Sequence, residues 1–331
     1  MRRVPATVIT GFLGAGKTSL VRHLLANAGG RRLAVLVNEF GELGIDRELL
    51  VGCGDITCRE EDIVELANGC ICCTVAEDFL PSLGRLLDRP NPPEHILIET
   101  SGLALPKPLV QAFAWPEIRA RTTVDGVLAV IDAAAAAAGE FVPAAAGAAH
   151  DNPVEEVFAD QLAAADLAIL NKSDLLPPSR LDALRREIEA GLRPGVRLLL
   201  AEGGRVPPAV ALGLAAAAED DLAARPSRHE LEGEHDHDDF ESFVVELGPV
   251  ADETGLFARL FAVIREETVL RVKGFLDRPG RERRLAVQAV GLRLQYYFDR
   301  PWQPGETRAS RLVVIGLKGL DRERVAAGLA L

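Results

Sequence analysis

The sequence predicts an α/β protein in which a doubly wound, largely parallel sheet is followed by a small α+β domain. In the first two thirds of the chain, continuous apolar runs alternate with segments of helical periodicity. Such runs are typical of strands buried on both faces, and their alternation with helices favours parallel pairing. The strand-like runs are Ala6–Thr10, Arg32–Asn38, His95–Ile98, Gly126–Ile131 and Leu167–Leu170, and the helix-like segments are Ser19–Ala28, Pro153–Ala165 and Ser179–Ala190.

The pattern changes near residue 220, where the chain becomes acidic and poor in apolar residues. Such a composition is typical of a linker. We therefore expect a first domain over 1–219, an acidic, histidine-bearing linker over 220–239 and a second domain over 240–331. In the second domain the pattern predicts strands over 240–247, 269–275, 285–298 and 311–317, and helices over 254–266 and 322–329.

The composition favours a soluble protein in a reducing compartment. A net charge of −12 over 331 residues argues against nucleic-acid binding, which needs a basic surface, and weakly against docking to anionic membranes. No apolar run reaches the length of about 18 residues that a membrane-spanning helix needs. Lys17 follows the basic start of the chain too soon for a secretory signal. All five cysteines lie between Cys53 and Cys73, which is unlike a disulfide framework, so we expect a cytoplasmic protein.

The segment Gly11–Thr18 (GFLGAGKT) matches the phosphate-loop pattern G-x-x-x-x-G-K-[ST]. Because it lies between a predicted strand and a predicted helix, it favours a P-loop NTPase domain over a fortuitous glycine-rich turn. Backbone N–H groups and the helix N-terminus would hold the phosphates. Lys17 is expected to reach the β- and γ-phosphates, and Thr18 to ligate Mg²⁺. The other expected nucleotide contacts are Gly14, Ala15, Gly16 and Ser19.

Glu99 follows the apolar run His95–Ile98, at the expected carboxyl end of a buried strand. A carboxylate there can hold Mg²⁺, directly or through water, opposite the phosphate loop. The alternative is a solvated loop carboxylate. We expect Glu99 to be part of the magnesium site.

The segment Asn171–Asp174 (NKSD) matches N-K-x-D at the end of another predicted strand. A carboxylate at Asp174 can accept two hydrogen bonds from the guanine edge, whereas adenine would leave a buried Asp174 unpaired. Asn171 would contact the other edge of the base, and the Lys172 stem would cover its face. The pattern therefore predicts GTP rather than ATP as the ligand.

Three thiols lie within four residues, at Cys70, Cys72 and Cys73. They can converge on one metal ion if the backbone turns, and thiolates suit zinc, copper(I) or, with less preference, cobalt(II). A redox switch and a buried thiol cluster are the alternatives. We expect a metal site, whereas the looser pair Cys53 and Cys58 gives no preference between a metal site and none.

Acidic residues follow the predicted strand that ends at Asn38. Glu39 and Glu42 lie where a nucleotide-sensing switch is often found, and either one can complete a metal site or sense the γ-phosphate; the alternative is that both are simply exposed. Glu39 is our candidate metal ligand. The candidates for catalysis are Lys17, Glu99 and Asp46; Asp46, like Glu42, is a candidate by position alone. Three histidines in the acidic linker, His229, His235 and His237, indicate either weak metal collection or a solvated linker.

Together these motifs resemble the CobW family of metal-handling GTPases, relatives of the nickel-inserting HypB and UreG proteins. The residues that carry the resemblance are GFLGAGKT at 11–18, NEFGELG at 38–44, GCICC at 69–73, ETSGLALP at 99–106 and NKSD at 171–174. The similarity runs along nearly the whole chain and includes the linker, although this linker is shorter and poorer in histidine than that of a typical member.

The resemblance implies a slow, partner-dependent GTPase that supplies Co²⁺ to the aerobic cobaltochelatase for cobalamin biosynthesis, with hydrolysis gating metal release. It implies GTP, Mg²⁺ and Co²⁺ or Zn²⁺ as ligands, with Cys70, Cys72 and Cys73 matching the family's metal motif. A chelatase subunit is the implied partner, and a GTP-dependent homodimer is a further expectation. Because a thiolate site binds Zn²⁺ more tightly than Co²⁺, the cysteines alone do not select cobalt.

Three alternative functions remain. The first is a zinc chaperone of the same fold. The second is a redox-sensing regulatory GTPase whose thiols form disulfides, which thiol titration with and without metal would distinguish. The third is an interaction module whose GTP site is structural, which measurable GTP turnover would exclude.

Overall fold

The computed structural model describes residues 3–38, 63–66, 79–139, 153–225, 240–303 and 305–330. These residues fall into two units, the first ending at residue 225 of the described chain and the second beginning at 240. Each unit has its own sheet and its own apolar core. No helix in the described ranges is both long and apolar enough to cross a bilayer.

The first unit is built on seven parallel strands in the order β3-β2-β4-β1-β5-β6-β7. The strands are β1 Val4–Thr10, β2 Leu33–Asn38, β3 Ile63–Leu66, β4 His95–Glu99, β5 Thr122–Asp132, β6 Leu167–Asn171 and β7 Arg197–Leu200. The helices are α1 Lys17–Ala26, α2 Leu80–Leu87, α3 Pro106–Ala112, α4 Pro116–Arg119, α5 Ala133–Ala137, α6 Pro153–Ala164, α7 Pro178–Gly191 and α8 Pro208–Ala211.

The apolar runs form the centre of this sheet because both of its faces are covered. Every residue of β2, β4 and β6 is buried. Val8 of β1 lies opposite Ile98 of β4 on one side and Val127 of β5 on the other. Burying each such side chain contributes about 1.5–3 kcal/mol. The predicted α/β class, with its parallel sheet, is therefore confirmed.

Two short strands were not predicted, and the first unit extends past its predicted end. β3 and β7 have four residues each, too few for a reliable periodicity. Residues 220–225 were assigned to the linker, but Arg225 is 2% exposed and forms an ion pair with Asp166. Glu219 beside them is also buried and accepts a hydrogen bond from the backbone N–H of Val124. The polar composition of this segment indicated a linker. Composition does not reveal that Glu219 and Arg225 are buried with specific partners.

The second unit is an antiparallel five-stranded sheet in the order β11-β10-β9-β12-β8 with helices packed on it. Its elements are β8 Phe240–Leu247, α9 Glu253–Glu266, β9 Val269–Leu276, β10 Arg283–Val290, β11 Arg293–Pro301, β12 Ser310–Leu317 and α10 Arg322–Leu329. The predicted α+β class is confirmed. The single strand predicted over 285–298 is wrong, because Gly291 adopts a positive φ of 51° and turns the chain into the β10–β11 hairpin.

Candidate functional site

The candidate site lies at the edge of the first sheet where the parallel strands end. β1, β4 and β6 end at Thr10, Glu99 and Asn171, and each is followed by one of the motifs found in the sequence. Because β1 has β4 on one side and β5 on the other, the chain winds outwards in both directions from it. Ligands of open α/β sheets bind at the carboxyl ends of the strands, at such a reversal point.

The phosphate loop depends on glycine for both its backbone conformation and its packing. Gly11 and Gly16 have φ values of 142° and 101°, which side chains with a Cβ rarely adopt. A Cβ at Gly11 would collide with the carbonyl of Val130, and one at Gly16 would collide with the Asn171 amide. The loop backbone therefore lies directly against the backbone of β5 and against the side chain of Asn171. Gly14 also has a positive φ, of 73°.

Lys17 is the first residue of α1, and its ammonium group turns back over the loop. Its Nζ donates to the carbonyl oxygens of Gly11 at 2.8 Å and Phe12 at 3.4 Å, and the residue is 5% exposed. The ammonium group thus lies within the loop that the sequence pattern predicts to bind phosphate. Thr18 and Ser19 follow it in the first turn of α1.

Thr18 and Glu99 are brought together from different elements. The Thr18 hydroxyl donates to Oε1 of Glu99 at 2.7 Å, and Glu99 is 3% exposed. A hydroxyl and a carboxylate at this distance form a pair of hard oxygen donors, the type that Mg²⁺ prefers. The donor set therefore fits the magnesium ion that the sequence pattern implies. Glu99 is not the solvated loop carboxylate of the alternative interpretation.

Asn171 joins the base motif to the phosphate loop. Its Nδ2 donates to the carbonyl of Ala15 at 2.8 Å, and its Oδ1 accepts from the backbone N–H of Gly204 at 2.9 Å. The side chain is therefore committed to two loops, whereas the sequence predicted contact with the base alone. Asn171 is 1% exposed, so both hydrogen bonds are shielded from water.

The loop after β7 is part of this site, although sequence reasoning missed it. The N–H and the hydroxyl of Ser173 both donate to the carbonyl of Ala201. Gly204 approaches α1 so closely that a Cβ there would lie 2.6 Å from the backbone nitrogen of Leu20. The segment also follows a strand end at the same edge, a signal that was lost because β7 itself was not predicted.

Lys172 and Asp174 differ from each other in their surroundings. Lys172 has a left-handed φ of 59°, and its Nζ forms an ion pair with Oδ2 of Asp132 at 2.6 Å. Asp132 ends β5, is 1% exposed and caps α5 through the N–H of Ala135. Asp174 is exposed, whereas a buried carboxylate was expected to discriminate guanine from adenine. Its carboxylate faces solvent, where a base can reach it, and sequence reasoning did not identify Asp132.

The remaining candidates lie outside the described residues. These are Glu39, Glu42, Asp46, Cys53, Cys58, Cys70, Cys72, Cys73, His229, His235 and His237. Within the described ranges, no group of three histidine, cysteine or acidic side chains is arranged to hold a metal ion. The described site therefore consists of the phosphate loop, Glu99, the base motif at 171–174 and the loop after β7.

Comparison with known families and proteins agrees with this geometry. The family model described as CobW/HypB/UreG, nucleotide-binding domain, matches residues 5–198, and the one described as Cobalamin synthesis protein cobW C-terminal domain matches residues 240–330. A protein of Sinorhizobium sp named zinc chaperone CobW is 52% identical over 99% of this chain and 96% of its own length. A Pseudomonas aeruginosa protein of the same name is 49% identical over 98% of this chain and 90% of its own length.

A solved structure also aligns along the chain. The zinc-bound YjiA GTPase of Escherichia coli has 25% identity and a TM-score of 0.45, and the alignment covers 99% of this chain and 98% of that one. The sequence matches cover both units and all of the described nucleotide motifs. The chain therefore belongs to the CobW/HypB/UreG family, with a P-loop nucleotide-binding domain followed by a CobW-type C-terminal domain.

Proposed function

We propose that the protein is a GTP-dependent metallochaperone, in which GTP binding assembles a thiolate metal site and hydrolysis releases the metal to an acceptor. The observation that carries the nucleotide part is the hydrogen bond of 2.8 Å from Asn171 to the phosphate-loop carbonyl of Ala15. It brings the phosphate motif and the base motif, 156 positions apart, into one site. A single nucleotide can therefore contact both.

Each described side chain has a defined role in this proposal. Lys17 exchanges its bonds to the Gly11 and Phe12 carbonyls for oxygens of the β- and γ-phosphates. Thr18 and Glu99 hold Mg²⁺, Glu99 directly or through water, and the ion offsets charge on the phosphates when bound. Lys17, Glu99 and Asp46 remain the catalytic candidates. Turnover is expected to be slow without a partner, because a partner often completes such sites.

Base recognition is assigned to Asp174 and Lys172. The Asp174 carboxylate accepts two hydrogen bonds from the guanine edge. The bound base then shields this carboxylate from solvent. Lys172 is held by Asp132, so its stem has a fixed direction. Asn171 acts mainly by fixing the two loops against each other.

The metal part rests on the sequence position of the thiols. Cys70 lies four positions after Leu66, where β3 ends. β3 pairs in parallel with β2, so both strands end at the same edge of the sheet. Four residues span at most about 14 Å, so the length of the chain allows Cys70 to reach the edge that holds the nucleotide motifs. Glu39 directly follows β2, which ends at that edge too. We propose Cys70, Cys72, Cys73 and Glu39 as ligands of the transported ion.

Zinc is the first candidate for that ion, and cobalt is the second. Two relatives at about half identity over nearly the whole chain are named zinc chaperones. Intrinsic affinity also places Zn²⁺ above Co²⁺ at thiolates. Supply of Co²⁺ to a cobaltochelatase subunit is favoured by the match of residues 240–330 to the cobalamin-synthesis C-terminal domain. The protein is expected to act in the cytoplasm, and a GTP-dependent homodimer is part of the proposal.

Nucleotide competition tests the first half of the proposal. The protein should bind GTP in preference to ATP, and Asp174→Ala should weaken GTP binding and reduce that preference. The matched control is Asp182→Ala, an exposed aspartate of α7 outside the site. Equal binding of GTP and ATP by the unsubstituted protein would refute the assignment.

A further inference from the structure

A cavity lies in the first unit, where the parallel strands begin, at the end of the sheet opposite the phosphate loop. Its volume is about 900 Å³, which is within the range of small-molecule sites. It is lined by the beginnings of three strands, at Val4 of β1, His95 of β4 and Thr123 of β5. β1 has seven residues, so about 20 Å of strand separates this cavity from the phosphate loop.

The acidic groups around the cavity are already engaged. Glu94 accepts from the backbone N–H of Arg32 at 3.0 Å, and Glu219 accepts from the Thr123 hydroxyl and from the N–H of Val124. Asp125 accepts from three consecutive backbone N–H groups, those of Gly213, Leu214 and Ala215. The oxygens of these carboxylates are therefore occupied by hydrogen bonds, which leaves few lone pairs to coordinate a cation.

The basic group Arg31 differs from them. It lines the cavity and is exposed, and no described residue forms an ion pair or a side-chain hydrogen bond with its guanidinium. Arg3, which also lines the cavity, is already paired with Glu219 at 3.4 Å. The backbone amides of the 213–215 loop are occupied by Asp125, so no nest of N–H groups remains for a phosphate. A guanidinium matches a carboxylate in two parallel hydrogen bonds.

His95 supplies a hydrogen-bond acceptor to the same cavity. Its Nε2 lies 2.7 Å from the Thr7 hydroxyl oxygen, and that hydroxyl donates to Asp125. We assign the Thr7 hydrogen to the charged acceptor Asp125, which makes Nε2 the protonated nitrogen of His95. Burial lowers the pKa of His95, and the charge of Arg31 adds to this, against the opposite effect of Asp125. The ring is therefore neutral at pH 7, and Nδ1, which has no partner among the described residues, keeps its lone pair.

We propose that this cavity binds a small hydroxy- or amino-carboxylate. Arg31 receives the carboxylate, and Nδ1 of His95 accepts a hydrogen bond from the hydroxyl or amino group. The arrangement disfavours metal ions, because the cation Arg31 stands beside the imidazole of His95.

Malate and succinate test this assignment, because they differ only by the hydroxyl group. Saturation-transfer NMR titrations are run with Mg·GDP at saturation, which occupies the phosphate loop. Malate should bind at least about five times more tightly than succinate, about 1 kcal/mol for one hydrogen bond. Arg31→Gln should weaken malate binding at least tenfold. Arg22→Gln, an exposed arginine on α1 away from the cavity, should leave it unchanged.

A second measurement follows the imidazole directly. In protein labelled with ¹⁵N-histidine, malate should shift the Nδ1 resonance of His95, whereas succinate should not. The proposal is overturned if neither acid binds, if both bind equally, or if Arg31→Gln binds malate as the unsubstituted protein does. A malate-induced change at other histidines but not at His95 would also overturn it.

Discussion

Asn171→Ala tests whether one side chain holds the nucleotide site together. The substitution removes both hydrogen bonds, the donation to Ala15 and the acceptance from Gly204. Asn171 is 1% exposed, so the Ala15 carbonyl and the Gly204 N–H lose partners in a buried position. Each such group costs about 1–3 kcal/mol. The expected loss is therefore about 2–6 kcal/mol in the free energy of unfolding of the first unit.

The two tryptophans allow this unit to be observed separately. Trp115 lies in the first unit and Trp302 in the second, and the chain contains only these two. In a Trp302→Phe background, urea unfolding followed by Trp115 fluorescence reports on the first unit. GTP affinity should fall together with stability, because the phosphate loop loses its connection to the base loop.

Asn27→Ala is the matched control. Asn27 also donates its amide to a carbonyl, that of His23 at 2.8 Å, but at an exposed position at the end of α1. Its substitution should change stability by no more than about 0.5 kcal/mol. If Asn171→Ala unfolds and binds GTP like this control, the connecting role of Asn171 is refuted.

Two further predictions concern Lys17 and Glu306. Lys17→Ala should abolish GTP hydrolysis while the far-ultraviolet circular dichroism spectrum stays close to that of Arg22→Ala, an exposed control on the same helix; normal turnover would exclude the phosphate-loop assignment. Hydrogen bonding to Arg300 holds the pKa of Glu306 below its usual range. The ionised carboxylate therefore stabilises the second unit at pH values above the pKa of the unfolded chain, about 4.3. This stabilisation is lost as the pH falls through the lower pKa of the folded protein. Glu306→Gln should therefore reduce stability at pH 7 and flatten its decline below pH of about 4.3, measured by Trp302 fluorescence in a Trp115→Phe background; an unchanged pH profile would contradict this.

The part of the fold that the sequence predicts best is the part whose strands are long and continuously apolar. β2, β4 and β6 are buried throughout, so their pattern has one interpretation. β7 has exposed ends and four residues, and the β10–β11 hairpin turns at a glycine within an otherwise uniform alternation. In both cases local pattern carries too little information, and tertiary packing determines the outcome.

The same limit applies to the candidate site. The phosphate loop and Glu99 could be predicted because each follows a strand end, where phosphate and Mg²⁺ binding requires such residues. The contact between Thr18 and Glu99 agrees with this prediction. The connecting role of Asn171 depends on a loop 33 positions away, and the partner of Lys172 is 40 positions away. No periodicity encodes such pairs. They follow only when the strand order is known.

We propose that the nucleotide state controls the metal site. In the sequence the thiols lie between β2 and β4, whose carboxyl ends lie at the same edge of the sheet as that of β1, and γ-phosphate with Mg²⁺ commonly orders segments at such an edge. If this ordering brings Cys70, Cys72 and Cys73 together, metal affinity must depend on the nucleotide. A coupling of about 1–3 kcal/mol corresponds to a change of about 5- to 150-fold, and linkage requires the metal to tighten GTP binding by the same factor.

The most direct test is a metal titration of the full chain in three states, without nucleotide, with Mg·GDP and with a Mg-bound non-hydrolysable GTP analogue. Co²⁺ is followed by its thiolate absorbance in the near ultraviolet, and Zn²⁺ by displacement of Co²⁺. We predict the tightest binding with the GTP analogue, tighter binding of Zn²⁺ than of Co²⁺, and loss of both absorbance and coupling when Cys72 and Cys73 are changed to Ser. Equal metal affinity in all three nucleotide states would contradict it.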